Sequence, residues 1–253
     1  MLRLECIGTG SKGNCYLLET ESATLILDAG LPVMAIKKAL GFDFSKVVGC
    51  VITHEHQDHI RSAEDIEMYG IPVFRGFQEK DFSHVKYGPF DIRAFPVPHD
   101  VPCVGYYITV DGITTVYITD ALYCRWNFKK QKVHNFLIEC NWQNDYITED
   151  LDEPVVGRIF QTHMSEDVCV RFLESNMTDE MSNVLICHMS DRRCCPEEAV
   201  ERIQTVLGDE VFVEYCKPRG CYDFERRRSG KDTGKVDADY HSGDHKQDGD
   251  VLP

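Results

Sequence analysis

Six residues, His54-Glu55-His56-Gln57-Asp58-His59, follow one residue after the apolar run Val47-Val48-Gly49-Cys50-Val51-Ile52, with Thr53 between. Three of the chain's ten histidines fall inside them. A short apolar run rich in Val predicts a buried strand, so the cluster sits where a strand gives way to a turn and a helix. His54 and His56 are two apart and leave an extended chain on one face. Asp58 and His59 follow where the helix should begin, and Glu55 and Gln57 alternate to the other face and read as spacers. Imidazole nitrogen and carboxylate oxygen are the donors that zinc-type ions take. The run therefore offers one pair of donors to one ion and a second pair to another.

Two ions need more donors than the run holds, and the ends of other apolar stretches supply candidates. His99 follows Phe95-Pro96-Val97-Pro98, Asp120 follows Val116-Tyr117-Ile118-Thr119, and His188 follows Val184-Leu185-Ile186-Cys187. Each is a metal-competent residue at the C-terminal end of a predicted strand, where the loops of an α/β sheet gather at one edge. Asp28, after Thr24 to Leu27, has two readings of similar weight: a carboxylate that orients a ligating imidazole through its other nitrogen, or a cap before Ala29-Gly30. Gly8, Gly10 and Gly13 read either as a turn whose backbone N–H groups approach an anion or as a plain hairpin. No Gly-Lys-[Ser/Thr] follows, so a nucleotide-binding P-loop is excluded.

The wider pattern alternates apolar runs with short helical ones. Strands are predicted at Leu2 to Ile7, Asn14 to Leu18, Thr24 to Leu27, Val47 to Thr53, Ile71 to Phe74 and Asp91 to Val97. More follow at Val104 to Val110, Ile113 to Thr119, Phe136 to Glu139, Val184 to Cys187 and Val211 to Tyr215. Asp111-Gly112 reads as a tight hairpin turn. Helices are predicted at Pro32 to Leu40, Asp58 to Met68, Ser165 to Ser175 and Pro196 to Leu207, with Ser165 as an N-cap and both prolines in first turns. This is a layered α/β domain spanning residues 1–222. From Asp223 to Pro253 large apolar residues nearly vanish, and the segment is expected to be a disordered polar tail. His241 and His245 lie in it and are not expected to be ligands.

Charge and cysteine content narrow the setting. The formal net charge of −15 disfavours a surface that binds nucleic acid everywhere. Two divalent ions would reverse the sign locally, and Lys129-Lys130-Gln131-Lys132 and Arg192-Arg193 are local basic clusters that read as phosphate contacts or as solvated surface. The twelve cysteines include no Cys-x-x-Cys pair, and no secretory signal opens the chain. Reduced, mostly buried thiols in a cytoplasmic protein are expected. No apolar stretch is long enough to span a membrane.

The motif His54-x-His56-x-Asp58-His59, followed in order by His99, Asp120 and His188, resembles that of the metallo-β-lactamase-fold hydrolases. The resemblance covers nearly all of the chain before the tail. It implies a four-layer αββα sandwich with two metal ions at one edge. One ion would be held by His54, His56 and His99, the other by Asp58, His59 and His188, with Asp120 bridging. A second layer narrows the branch: Gly8-Thr9-Gly10-Ser11-Lys12-Gly13-Asn14-Cys15 and Leu25-Ile26-Leu27-Asp28-Ala29-Gly30-Leu31 are similar to the YycJ/WalJ-type nucleases. Pro98-His99-Asp100 with Gly105-Tyr106, and the pair Thr162-His163-Met164-Ser165 and Cys187-His188-Met189-Ser190, are similar to that group and to the tRNA 3′-processing endonucleases. In the latter, the histidine matching His163 helps protonate the leaving group. The chain departs from the pattern at Asp191-Arg192-Arg193-Cys194, where a Glu-Asn-Asn-like run is usual, and at Ala121-Leu122-Tyr123, where a small Gly-containing turn is usual.

The expected chemistry is attack on phosphorus by a hydroxide held between two cations, which also act as Lewis acids. Asp58 would be a ligand that orients the nucleophile, and His163 the proton donor. Nitrogen-rich ligation suits zinc, and the mixed His/Asp set also accepts manganese or iron. The favoured expectation is a DNA exonuclease with a nucleic acid substrate. A tRNA-processing endoribonuclease, and a thioester or lactone hydrolase on the same scaffold, are the rivals. A scaffold protein without catalysis does not account for seven ligands kept together.

Overall fold

The computed structural model describes residues 1–147 and 154–225. Thirteen strands are present among them: β1 Arg3–Gly8, β2 Cys15–Glu19, β3 Thr24–Leu27, β4 Val47–Ile52, β5 Val73–Arg75, β6 His84–Tyr87, β7 Phe90–Val97, β8 Cys103–Val110, β9 Ile113–Ile118, β10 Asn135–Glu139, β11 Asn183–Cys187, β12 Phe212–Tyr215 and β13 Cys221–Asp223. Six α-helices accompany them: α1 Val33–Ala39, α2 Gln57–Ile60, α3 Ala63–Met68, α4 Pro154–Thr162, α5 Glu166–Asn176 and α6 Pro196–Leu207.

The strands form two mixed sheets, one in the order β13-β1-β2-β3-β4-β5 and the other β12-β11-β10-β9-β8-β7-β6. Three buried layers follow from the two-residue period of the strands. Tyr16, Leu18, Leu25, Leu27 and Val51 meet Ile92, Tyr106, Ile108, Tyr117 and Leu137 between the sheets. Leu17, Ile26, Cys50 and Ile52 point the other way, against Ile36, Ala63 and Ile66 of α1 and α3. Val116, Ile118, Phe136, Ile138 and Val184 pack on Phe172, Leu173, Ala199 and Ile203 of α5 and α6. The result is the expected αββα sandwich. All twelve cysteines are free thiols, most of them buried, and among the described residues no helix is long and apolar enough to cross a membrane.

Within the sheets β3, β4 and β5 run parallel, as do β9, β10, β11 and β12. β7 is antiparallel to β8, which is antiparallel to β9, so β7 ends on the same side as β9. The C-terminal ends of β3, β4, β7, β9, β10 and β11 therefore meet at one edge.

Several predicted elements differ from those observed. The single helix expected over Asp58 to Met68 is two, because the His59 carbonyl accepts from Ala29 N at 2.7 Å and Ser62 N donates to Ala29 O at 2.9 Å. Those bonds take the groups a continuous helix would need. The edge strand β6 and helix α4 were not expected, and β6 carries too little apolar residue to stand out. The polar tail was placed from residue 223, yet Asp223 ends β13, which pairs with β1, and Phe224 is fully buried. The short span of β13 hid its pairing. The rest of the expected tail, with His241 and His245, lies outside the described residues. Asp111-Gly112 is the expected turn, both residues at positive φ. Ser165 Oγ caps α5 by accepting from Val168 N, and Pro196 occupies the first turn of α6.

Candidate metal centre

The seven residues singled out as ligands converge at the shared edge, although they come from four separate segments. His54 Nε2 lies 3.0 Å from His56 Nδ1, and His99 Nε2 lies 3.3 Å from the same atom. His59 Nε2 is 2.9 Å from Asp120 Oδ2 and 3.7 Å from Asp58 Oδ2. His188 Nε2 is 3.5 Å from Asp120 Oδ2 and 3.8 Å from Asp58 Oδ2. Donor atoms within reach of one ion therefore group as His54, His56 and His99, and as Asp58, His59 and His188, while Asp120 joins a third group with His54 and His59.

These spacings fit a cation. Nitrogens about 2.0–2.1 Å from a tetrahedral ion stand roughly 3.3 Å apart. His188 Nε2 is buried without a hydrogen-bond partner, a costly arrangement for a polar atom unless it has another role. The fold's parallel-edge geometry and this donor set together imply divalent ions.

The bare nitrogens face inward because the opposite ring nitrogens are held. His59 Nδ1 donates to Asp28 Oδ2 at 2.8 Å, and His99 Nδ1 to the Thr162 carbonyl at 3.0 Å. His188 Nδ1 is 3.2 Å from Glu139 Oε1. Such outer partners fix tautomer and ring orientation. Asp28 thus has the orienting role rather than a capping one. Its carboxylate also accepts from Thr53 N at 2.8 Å and from the Tyr117 hydroxyl at 2.6 Å.

Strain marks the same edge. Asp28, Asp120 and His188 each follow a strand with φ of 56°, 49° and 50°. Left-handed backbone is uncommon outside glycine and is held only where the surroundings enforce it. Gly30 serves a different need: a Cβ there would lie 1.7 Å from the Asp58 carbonyl oxygen. Its absence lets the Asp58–His59 turn seat against the strand-end loop.

Charge is tightly coupled across the site. Burial pushes the His54 imidazole well down, and the neighbouring His59 adds to this. Burial would also lower His59, but Asp120 and Asp28 outweigh it and raise its pKa to about 10. His188 goes up in the same way, burial being overcome by Asp120, Asp58 and Glu139. Asp120 stays well below the usual carboxylate range, because His188 and His59 overcome the cost of burying it.

His163 stands beside this cluster. Its ring stacks on His188 at 5.3 Å and lies 5.6 Å from His99. Its Nδ1 donates to Glu139 Oε1 at 2.6 Å. Burial lowers its pKa, but the Glu139 charge and hydrogen bond win and raise it.

Three contributors escaped the sequence reading. Glu139 ends β10, is fully buried, and also accepts from Ala121 N at 2.9 Å. It obeys the rule that picked out Asp120 and His188, a charged residue closing an apolar strand, and could have been found by it. Asn141 Nδ2 donates to the His188 carbonyl at 2.8 Å, with no signal in the sequence. Asp100 Oδ1 lies 3.0 Å from His99 Nε2 and 3.4 Å from His56 Nε2, and its other oxygen is held by Arg158 at 2.6 Å. Of the basic clusters, Lys129 and Lys130 are exposed on the loop between β9 and β10, and Arg192 is exposed on the loop after His188.

A two-sheet sandwich with imidazoles and carboxylates gathered at one edge is the architecture of the metallo-β-lactamase fold. Residues 8–119 match the family model described as the metallo-beta-lactamase superfamily. The chain is 22% identical over 242 residues to exodeoxyribonuclease YycJ of Bacillus anthracis, covering 83% of this chain and 91% of that one. Among solved structures it is similar to the metallo-beta-lactamase fold protein YhfI from Bacillus subtilis, with a TM-score of 0.68, 18% identity, and coverage of 88% and 100%. It is also similar to the short form of human tRNase Z, with a TM-score of 0.58, 12% identity, and coverage of 88% and 99%.

Proposed function

We propose that the chain is a two-metal phosphodiesterase, and specifically a DNA exonuclease. The observation that carries the reading is His163, held by Glu139 beside two donor groups joined at Asp120. Hydrolysis of a thioester, which releases a weakly basic thiolate, has less need of a separate acid there than expulsion of an alkoxide from phosphorus. The name of the Bacillus anthracis relative supports DNA as the substrate.

His54, His56 and His99 would hold one ion and Asp58, His59 and His188 the other, with Asp120 shared between them. Zinc or manganese suits the set, and iron is compatible with it. Bound there, the pair would supply Lewis acidity and a nucleophile at neutral pH. The chain's own residues do the rest. Asp28, Glu139 and the Thr162 carbonyl hold the rings in the tautomers that ligation needs. Asp58 orients the attacking group. His163 keeps its proton near neutrality because Glu139 raises its pKa, and passes that proton to the leaving oxygen.

The test is turnover by the metal-loaded protein on end-labelled single- and double-stranded DNA, tRNA precursors and a generic thioester. Stepwise release of nucleotides from a DNA end is expected. Thioester turnover with no phosphodiester cleavage overturns the proposal. His163→Ala should retain both metals and lose about 10²–10⁴-fold in kcat, with the loss smallest on esters whose leaving group needs no proton. Full turnover by that variant removes the proton-donor role.

A further inference from the structure

Beyond the metal edge, a cleft of about 480 Å³ opens over β7 and β8 on the second sheet, lined among others by Phe82, Arg93, Tyr107, Trp126 and Phe128 and by no α-helix among the described residues. Phe82 and Ala94 also line a neighbouring cleft of about 460 Å³ that reaches His99 and Asp100. The two clefts share these lining residues, so the first lies beside the one that reaches the metal edge.

The loop after Asp120, one of the two places where the sequence departs from the nuclease pattern, lines the first cleft. Leu122 N donates to the Pro98 carbonyl at 3.0 Å, and Trp126 Nε1 donates to the Pro96 carbonyl at 2.8 Å. The loop thus runs alongside the strand that ends in His99. Three residues of extended chain separate Pro96 from His99, roughly 10 Å, which puts Trp126 within reach of a base next to a phosphate at the metals.

Of the aromatic groups in the cleft, Phe82 is exposed, Trp126 and Tyr107 are half-buried, and Phe128 is buried. Phe82 is 54% exposed at a φ of 62°, a costly backbone state for a bulky side chain. Its ring meets Trp126 edge-on at 4.9 Å. The Arg125 guanidinium lies over the indole at 4.4 Å. Arg93 lines the cleft, and Lys129 and Lys130 are exposed on the loop that follows Phe128, in a chain whose net charge is −15. Of the acids, Asp91 is taken by His84 Nε2 at 3.0 Å, with Arg93 Nε at 3.8 Å, while Glu79, Asp81 and Asp100 line the neighbouring cleft, Asp100 held by Arg158 at 2.6 Å.

Exposed rings interleaved with basic groups are what an unpaired nucleic-acid strand binds, base on ring and phosphate on cation. We infer that Phe82, Trp126 and Arg125 form a stacking site for an unpaired nucleobase adjoining the scissile phosphate. The inference rests on the nuclease reading for its substrate, but binding can be measured apart from cleavage.

The chain has two tryptophans, so the difference between the metal-loaded wild type and Trp126→Phe isolates the Trp126 fluorescence. Titration with a hydrolysis-resistant phosphorothioate tetrathymidylate should quench that signal saturably. The same backbone without bases should not. Phe82→Ala should weaken binding about tenfold and raise KM on labelled single strands more than it lowers kcat. Arg125→Ala should weaken binding and flatten its salt dependence. Equal quenching by the baseless strand, or none by either, overturns the stacking site. Self-association that Phe82→Ala abolishes would also overturn it, by giving the face to a second copy. Cleavage of DNA without quenching removes this inference and leaves the nuclease reading standing. Quenching without cleavage does the reverse.

Discussion

A buried carboxylate is expensive unless its oxygens are satisfied, and Asp28 meets that condition through His59, Thr53 and Tyr117. Asp28→Asn keeps the shape but weakens the hold on the His59 ring. Metal affinity should fall about 10–100-fold, measured by competition with a chromogenic chelator. Unchanged affinity would reduce Asp28 to packing. Protonation follows from the same contacts. In the metal-free protein Asp120 and Asp28 raise His59 to about 10, so its ring keeps both protons at pH 8, and His188 is also shifted toward its protonated form. A metal needs the bare nitrogen, so binding must release its proton. Calorimetry at pH 8 in buffers of different ionisation enthalpy should show net proton release. That release should shrink as pH rises through about 10. Affinity should accordingly weaken as pH falls. At this scale the seven candidate ligands were legible, because three metal-competent residues closing apolar strands in order after the His54–His59 run stand out together though none does alone. Asn141 and Asp100 were not, since their contacts come from chain folding back over dozens of residues.

At the scale of elements, strand ends decide what the loops can do. Gly30 shows it most directly, since a methyl group there would collide with the Asp58 carbonyl. Gly30→Ala must shift the Asp58–His59 turn, so we expect a folded protein that binds one ion normally and the second at least tenfold more weakly. Metal content by mass spectrometry against added metal reads the difference. Two ions bound as tightly as in the wild type would contradict it. The strands with strong apolar runs were readable, and so were α5 and α6 from their caps. The break between α2 and α3 was not, because Ala29 causes it from another segment. Nor was β13, where pairing to β1 outweighs weak local preference.

At the scale of the molecule, two sheets lay their parallel ends at one edge, and that geometry makes a site of four distant segments. The sequence motif located the edge before the sheets were known, since its ligand order presupposes such a sandwich. The folded limit needed the structure, because Phe224 seals the core beyond the composition break. The claim that organises the whole is a pair of ions acting together on a phosphodiester. Titrating the metal-free protein with manganese or zinc while following release of nucleotides from end-labelled DNA tests it most directly. Little cleavage is expected up to one equivalent, with activity rising to a plateau as the second equivalent binds. Full activity at one equivalent, or no cleavage at two, would contradict it.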